Sequence, residues 1–192
     1  MARTLDEMRE AATEQALIRR ARSGDRGAFD ALVRGHFKHV YAFLHRMIRS
    51  HEDAEDLAQE CFVRAWRSLP HYREQSAFST WLLRIARHLA HDHHRAGGRR
   101  ARTTPVEEAS AQAQPGPSPA DALARREVVR DVADALQRLP ERLRAAIVLR
   151  TIEGREYDEV AEILGVKPAT ARMLVMQARR ALAQRLRPEG AP

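Results

Sequence analysis

Four histidines fall within seven positions, His88, His91, His93 and His94, with Asp92 between them. Imidazole and carboxylate are ligands for divalent metals, and His88 and His91 lie one helical turn apart. The same stretch carries Arg84, Arg87, Arg95, Arg99, Arg100 and Arg102, whose charge repels a cation. No catalytic carboxylate accompanies the histidines. We therefore expect no cofactor, no resident metal and no catalytic residues, with an adventitious or regulatory ion as the alternative left open. Cys61 is the only cysteine, which excludes an intrachain disulfide and a cysteine-cluster zinc site.

What that stretch offers instead is positive charge. The chain has 33 basic and 26 acidic residues, a formal +7, and its only lysines are Lys38 and Lys167. Nearly all its cations are thus guanidinium forks, which fit phosphates and guanine edges, although arginine also decorates ordinary solvated helix faces. The charge is segregated. Glu52, Asp53, Glu55, Asp56 and Glu60 fall in nine positions without a base, whereas Arg84 to Arg102 has Asp92 alone against six arginines. A helix dipole attracts acids to the first turn, but five exceed that need. An acidic helix start beside a basic helix suggests two different partners, the basic one facing phosphate.

Several elements must position these faces. Glycine and proline are sparse, long alternating strand patterns are absent, and 44% of the residues are hydrophobic, which predicts an all-α protein with real cores. No run of 18 apolar residues and no apolar leader occurs, so a cytoplasmic location without membrane insertion is expected. From Thr103 to Ala120 the chain reads TTPVEEASAQAQPGPSPA, with four of the nine prolines and Val106 as its one branched apolar residue. Such a segment cannot bury enough surface to offset its ordering entropy. It predicts a flexible linker reaching roughly 60 Å fully stretched and about 25 Å as a coil. The expected organisation is an N-terminal extension (1–19), a helical module (20–102), the linker (103–120) and a second helical module (121–187), free to sit far apart on one long ligand.

In the first module Phe29, Leu32, Val33, Val40, Leu44, Met47 and Ile48 form a helical stripe that starts near Asp25. Leu57, Cys61, Phe62, Ala65, Trp66 and Leu69 form another, opened by Ser50 with Asp53 three residues on and stopped by Pro70. Phe78, Trp81, Leu82, Ile85 and Leu89 form a third. Asp92, at the edge of that stripe, is expected to pair with Arg95. The second module predicts helices near 122–138, 141–150, 156–164 and 168–186, with Pro140 and Pro168 opening helices and Gly154 and Gly165 closing them. A twenty-residue helix-turn-helix template laid from Tyr157 puts small Ala161 where the helices touch and Gly165 in the left-handed turn. Its apolar positions receive Val160, Leu164, Val166, Ala171 and Leu174. The second helix then turns Ala171, Val175, Ala178 and Leu182 inward and Thr170, Met173, Met176, Gln177 and Arg180 outward, flanked by Arg172 and Arg179. Arg172 and Gln177 are base-reading candidates. The two methionines fit thymine methyls, another protein, or a core rotated by one residue.

The run HEDAEDLAQECFVRAWRSLPHYREQSAFSTWLLRIARHLAHDHHR (51–95) resembles region two of the extracytoplasmic-function (ECF) sigma factors. Asp53, Ala54, Glu55, Asp56, Leu57, Gln59, Phe62, Ala65 and Trp66 match the first part of that pattern. Phe78, Thr80, Trp81, Leu82, Ile85, Ala86, Asp92 and Arg95 match the second, and the helix-turn-helix module resembles region four. The resemblance implies a transcription initiation factor rather than an enzyme. It assigns Asp53, Asp56, Gln59, Glu60 and Arg64 to the clamp helices of core RNA polymerase. Binding and melting of the −10 element fall to Tyr72, Ser79, Arg84, Arg87, His88, His91, Arg95, Arg99 and Arg100, with Tyr72 the loop aromatic expected to stack on a base. The −35 element falls to Lys167, Thr170, Arg172, Met173, Gln177, Arg179 and Arg180. An anti-sigma protein clamped between the modules is a further expected partner. Two positions depart from the family pattern: His88 replaces an asparagine, and Met173–Leu174 replace a polar-plus-basic pair. The rival reading is a stand-alone regulator using the helix-turn-helix alone, which leaves the acidic face without a purpose.

Overall fold

The structure is a computed structural model that describes residues 13–97 and 119–186, and within them every regular element is helical. The first half comprises α1 (13–22), α2 (Arg26–Met47), α3 (His51–Ser68), a single 3-10 turn (Leu69–His71) and α4 (Phe78–Gly97). The second comprises α5 (Pro119–Gln137), α6 (Glu141–Ile147) running into a π turn (Val148–Ile152), α7 (Tyr157–Leu164) and α8 (Pro168–Arg185). None of these helices is long and apolar enough to cross a membrane. Residues 98–118, with Arg99, Arg100 and the linker up to Ser118, lie outside the described residues; the linker's last two positions, Pro119 and Ala120, instead open α5.

The helix boundaries follow local chemistry. Asp25 is extended, and its carboxylate accepts the Ala28 amide at 3.0 Å to open α2. That bond, with help from Arg20, holds its carboxyl below the usual range. Ser50 opens α3 by accepting the Asp53 amide at 3.1 Å. Gly165 closes α7 at φ 65, a left-handed conformation that costs a residue with a Cβ roughly 1–2 kcal/mol, and the Val166 amide returns to the Ala161 carbonyl at 2.9 Å. The N-terminal boundary is a correction. Residues 13–22 are helical, and Ile18 and Ala21 are buried in the core, so the first module starts before position 20.

The core of the first half is where α2, α3 and α4 meet, with Phe43, Leu44, Met47, Phe78, Leu82 and Leu83 buried. It continues without a break into the second half: α4 packs on α7, and α2 touches α5 and α6. The modules are therefore in contact here, not apart. One reason lies at the end of α2, whose last carbonyls have no partner inside the helix. Arg46 O accepts Gln137 Nε2 of α5 at 3.0 Å. Met47 O accepts Arg144 Nη1 of α6 and lies 3.1 Å from His94 Nε2 of α4. Donors from three helices, one of them a cation at the negative end of a helix dipole, thus knit the halves together.

Candidate polymerase and nucleic-acid interfaces

On α3 the side toward α2 and α4 is built of small residues. Ala54, Ala58, Cys61 and Ala65 are all fully buried, which lets the helices approach closely. The Cys61 thiol donates to the Leu82 carbonyl at 3.6 Å, and burial pushes its pKa up to about 12, so it has no reactive character at neutral pH. The opposite side carries the acids. Asp56 and Gln59 are exposed. Glu60 accepts Arg64 Nε at 2.8 Å one turn on, and Asp53 lies 3.6 Å from His93 of α4. Asp53, Asp56, Gln59, Glu60 and Arg64 thus share one outer face, on which Asp56 and Gln59 stand exposed while Glu60 and Arg64 pair with each other.

The basic face of α4 is differently placed. Arg84 pairs with Glu162 at 3.7 Å, His91 with Glu141 at 2.9 Å, and the Thr80 hydroxyl donates to Glu159 at 3.0 Å. All three carboxylates belong to the second module. Burial alone raises the Glu159 carboxyl, but the Glu156 amide, Thr80 and Arg155 outweigh it and hold the group below the usual range. Arg87 Nη2 donates to His88 Nε2 at 2.7 Å, which requires neutral imidazole. Burial, then the Arg87 charge, accordingly pushes the His88 pKa down. Ser79 is half-buried, while His88 and Arg95 are exposed.

Two expectations fail on this face. Tyr72 is not a loop aromatic awaiting a base: it is 6% exposed, packs against Phe78 and Trp81, and donates its hydroxyl to the Ser76 carbonyl at 2.6 Å. Burial pushes its pKa up to about 12. A half-polar ring completed the apolar cluster more cheaply than it could stand in water, because the turn carbonyl satisfies its hydroxyl. Asp92 is exposed rather than at the core edge, and among the described residues no ion pair joins it to Arg95. Solvent does for that carboxylate what a pairing arginine was expected to do. The clustered histidines also disperse: beside the contacts of His88 and His91 above, His93 faces Asp53 and His94 faces Met47 O. Among the described residues no three His, Cys, Asp or Glu side chains converge as a metal site.

In the second module α7 and α8 form the expected helix-turn-helix. Glu156 and Glu159 make a reciprocal capping box at the start of α7, and Pro168 opens α8. Ala171, Val175 and Ala178 are buried beneath α8, while Met173 and Met176 stand 46% and 48% exposed. The idea of a core rotated by one residue is thereby excluded. Arg172, Gln177, Arg179 and Arg180 share the exposed side, Lys167 precedes it, and Thr170 is half-buried. Arg172 lies over the Tyr157 ring at 5.4 Å from its centroid, and Arg150 lies 5.0 Å from the same centroid.

An acidic helix face, a basic helix and a helix-turn-helix in that order match known families. The sigma-70 region 2 family profile covers residues 32–100, and the sigma-70 region 4 profile covers residues 130–182. RNA polymerase sigma-H factor of Pseudomonas aeruginosa is 36% identical over 182 residues, covering 91% of this chain and 94% of that protein. ECF RNA polymerase sigma-E factor of Escherichia coli is 34% identical over 188 residues, covering 94% and 98%. This chain belongs to the ECF sigma factors.

The fold agrees with that membership. CnrH in complex with the cytosolic domain of CnrY aligns with a TM-score of 0.68 at 27% identity, covering 90% of this sigma factor and 96% of that chain. Sigma factor RpoE in complex with the anti-sigma factor NepR from Bartonella quintana also aligns at 0.68, with 25% identity. This ECF sigma factor is thus an initiation factor for promoter recognition by RNA polymerase. Its structure also brings forward residues that pattern reading passed over: Glu141, Glu159 and Glu162, which face α4, and Arg144, 6% exposed. Arg144 had a signal, since it interrupts the apolar run Leu143–Leu149 at a position that must face inward. The glutamates had none, because their partners lie 50 or more residues away in sequence.

Proposed function

We propose that this sigma factor docks on the clamp helices of core polymerase through the acidic face of α3, using Asp53, Asp56, Gln59, Glu60 and Arg64. It engages the −10 element through Ser79, Arg84, Arg87, His88, His91, Arg95, Arg99 and Arg100, and the −35 element through Lys167, Thr170, Arg172, Met173, Gln177, Arg179 and Arg180. The protein works in the cytoplasm without enzymatic chemistry of its own, and an anti-sigma protein holds it inactive by gripping both modules.

The observation that carries this reading is the opposition of charge across one small bundle. Exposed carboxylates on α3 and guanidinium groups on α4 stand on adjacent helices, too segregated for one ligand. A stand-alone DNA binder has use for the basic helix only. Charge reversal at exposed Asp56 separates the two. Asp56→Arg should abolish capture of core polymerase while leaving the helical circular-dichroism spectrum unchanged, and run-off transcription should fall with it. Intact capture by the folded variant would sink the docking assignment.

A further inference from the structure

The outward side of α8 has a composition that phosphate binding does not explain. Of the residues it exposes, Arg172, Arg179 and Arg180 suit a phosphate backbone, and Pro168–Arg185 contains no acid at all. Between these cations stand Met173 and Met176, two of the most exposed large apolar side chains in the described structure. Their neighbour Leu174 packs toward the core, so the exposure is specific to the two methionines and not a general looseness of the helix. Arg172 is drawn over the Tyr157 ring shared with Arg150, which leaves the front of α8 to Met173, Met176 and Gln177.

We propose that Met173 and Met176 read the 5-methyl groups of thymines in the major groove, making this module selective for an A·T-containing −35 element. The proposal rests on the assignment of α7–α8 as a duplex-reading helix-turn-helix. The thymine methyl is the apolar feature that base pairs present in the major groove, and it is absent from G·C pairs. An unbranched thioether side chain conforms to such a small target better than a branched one. Residues three apart on a helix lie about 4.5 Å apart along its axis, near the roughly 3.4 Å step between base pairs, so both can reach methyls on neighbouring pairs. Gln177, exposed beside them, has the amide that pairs with the adenine edge. The surrounding cations and the lack of acid on α8 favour a polyanion over a protein as the occupant of this face.

The test uses the full chain assembled with core polymerase, challenged with a pool of duplexes randomised over the upstream box. Bound duplexes should be enriched for thymine in that box. Resynthesis with deoxyuridine, which removes only the methyl, should weaken binding about fourfold for each methyl contacted, the factor expected for burying one methyl-sized group. Met173→Ala and Met176→Ala should each lose the thymine-over-uracil preference at one position while still binding duplex. Because both side chains are exposed, the variants should melt at the wild-type temperature, which a thermal scan verifies. If duplexes are selected but uracil binds as well as thymine, or if the box holds no thymine, the methyl reading is overturned while the duplex-reading module stands. If no duplex is selected, both fall.

Discussion

Replacing Arg144 with leucine probes the junction between the modules at its most buried polar point. The guanidinium is 6% exposed and donates to four acceptors: Met47 O, Gln137 Oε1 at 2.6 Å, Gln137 O at 2.7 Å and Leu139 O at 3.1 Å. Burial pushes its pKa down, opposed by the nearby Glu141 carboxylate, so the charge is held there at some cost. In the leucine variant Met47 O retains His94, and the half-buried Gln137 amide can turn to water. The Gln137 and Leu139 carbonyls lose their donor outright. At about 1–3 kcal/mol for each of these two buried acceptors left unsatisfied, and with about 1 kcal/mol returned by the apolar side chain, the net loss is roughly 1–5 kcal/mol, centred on about 3 kcal/mol. With a urea slope of about 2 kcal/mol per molar, the middle of the usual range, the unfolding midpoint followed by far-ultraviolet circular dichroism should drop by roughly 0.5–2.5 M. Arg142→Leu, on the same helix but exposed, should stay within about 0.5 kcal/mol of wild type. A midpoint for Arg144→Leu equal to that of Arg142→Leu would refute the claim that this guanidinium ties α2, α5 and α6 together.

Other outcomes follow from the same geometry. Changing Glu141, Glu159 and Glu162 together to glutamine should enlarge the radius of gyration in small-angle scattering and tighten binding of single-stranded −10-like DNA; no change in either would show that the acids do not hold α4. His45 and His94 have lowered pKa values, through burial first and then neighbouring cations: His51 and Arg46 for His45, Arg144 for His94. The unfolded chain therefore takes up protons before the folded one, so this stabilisation is complete above the ordinary histidine value of about 6.5 and is lost as pH falls through the lowered values. The urea midpoint should fall between pH 7.5 and 5.5, and a rising one would contradict this sign. Cys61, with its pKa near 12, should resist a thiol-specific reagent at pH 8 in the folded protein and react fully in urea.

The helix ends and inner faces were readable because they depend on neighbours within a few positions. Asp25 and Ser50 cap as their side chains require, and the wheel drawn through Ala171, Val175 and Ala178 places α8 correctly. Periodicity fails where a side chain has two acceptable environments. Tyr72 follows a proline and reads as loop, but a carbonyl four residues on satisfies its hydroxyl and lets the ring join the core. Asp92 sits near an apolar stripe by angle, yet its side chain lies just outside the buried face and solvent reaches the carboxylate. Long-range pairing is the remaining gap. Nothing near Glu162 in the chain points to Arg84, and nothing near Arg144 points to the end of α2; those partners meet only once two hydrophobic faces close.

The two surfaces proposed for nucleic acid are not equally accessible in this arrangement. The methionine face of α8 is open as it stands, whereas Thr80, Arg84 and His91 on α4 are occupied by carboxylates of the same chain. A ligand that needs Thr80, Arg84 and His91 free binds only the fraction of molecules in which the modules have separated, so every 1.4 kcal/mol favouring closure weakens its apparent affinity about tenfold. A ligand for α8 suffers no such reduction. Anything that binds the separated form, on any surface, must raise the affinity of α4 for DNA by the same factor that DNA raises its own. On the proposed assignment of the two surfaces, the junction would make duplex contact and strand capture an ordered pair of events, with the second conditional on a partner that opens the molecule.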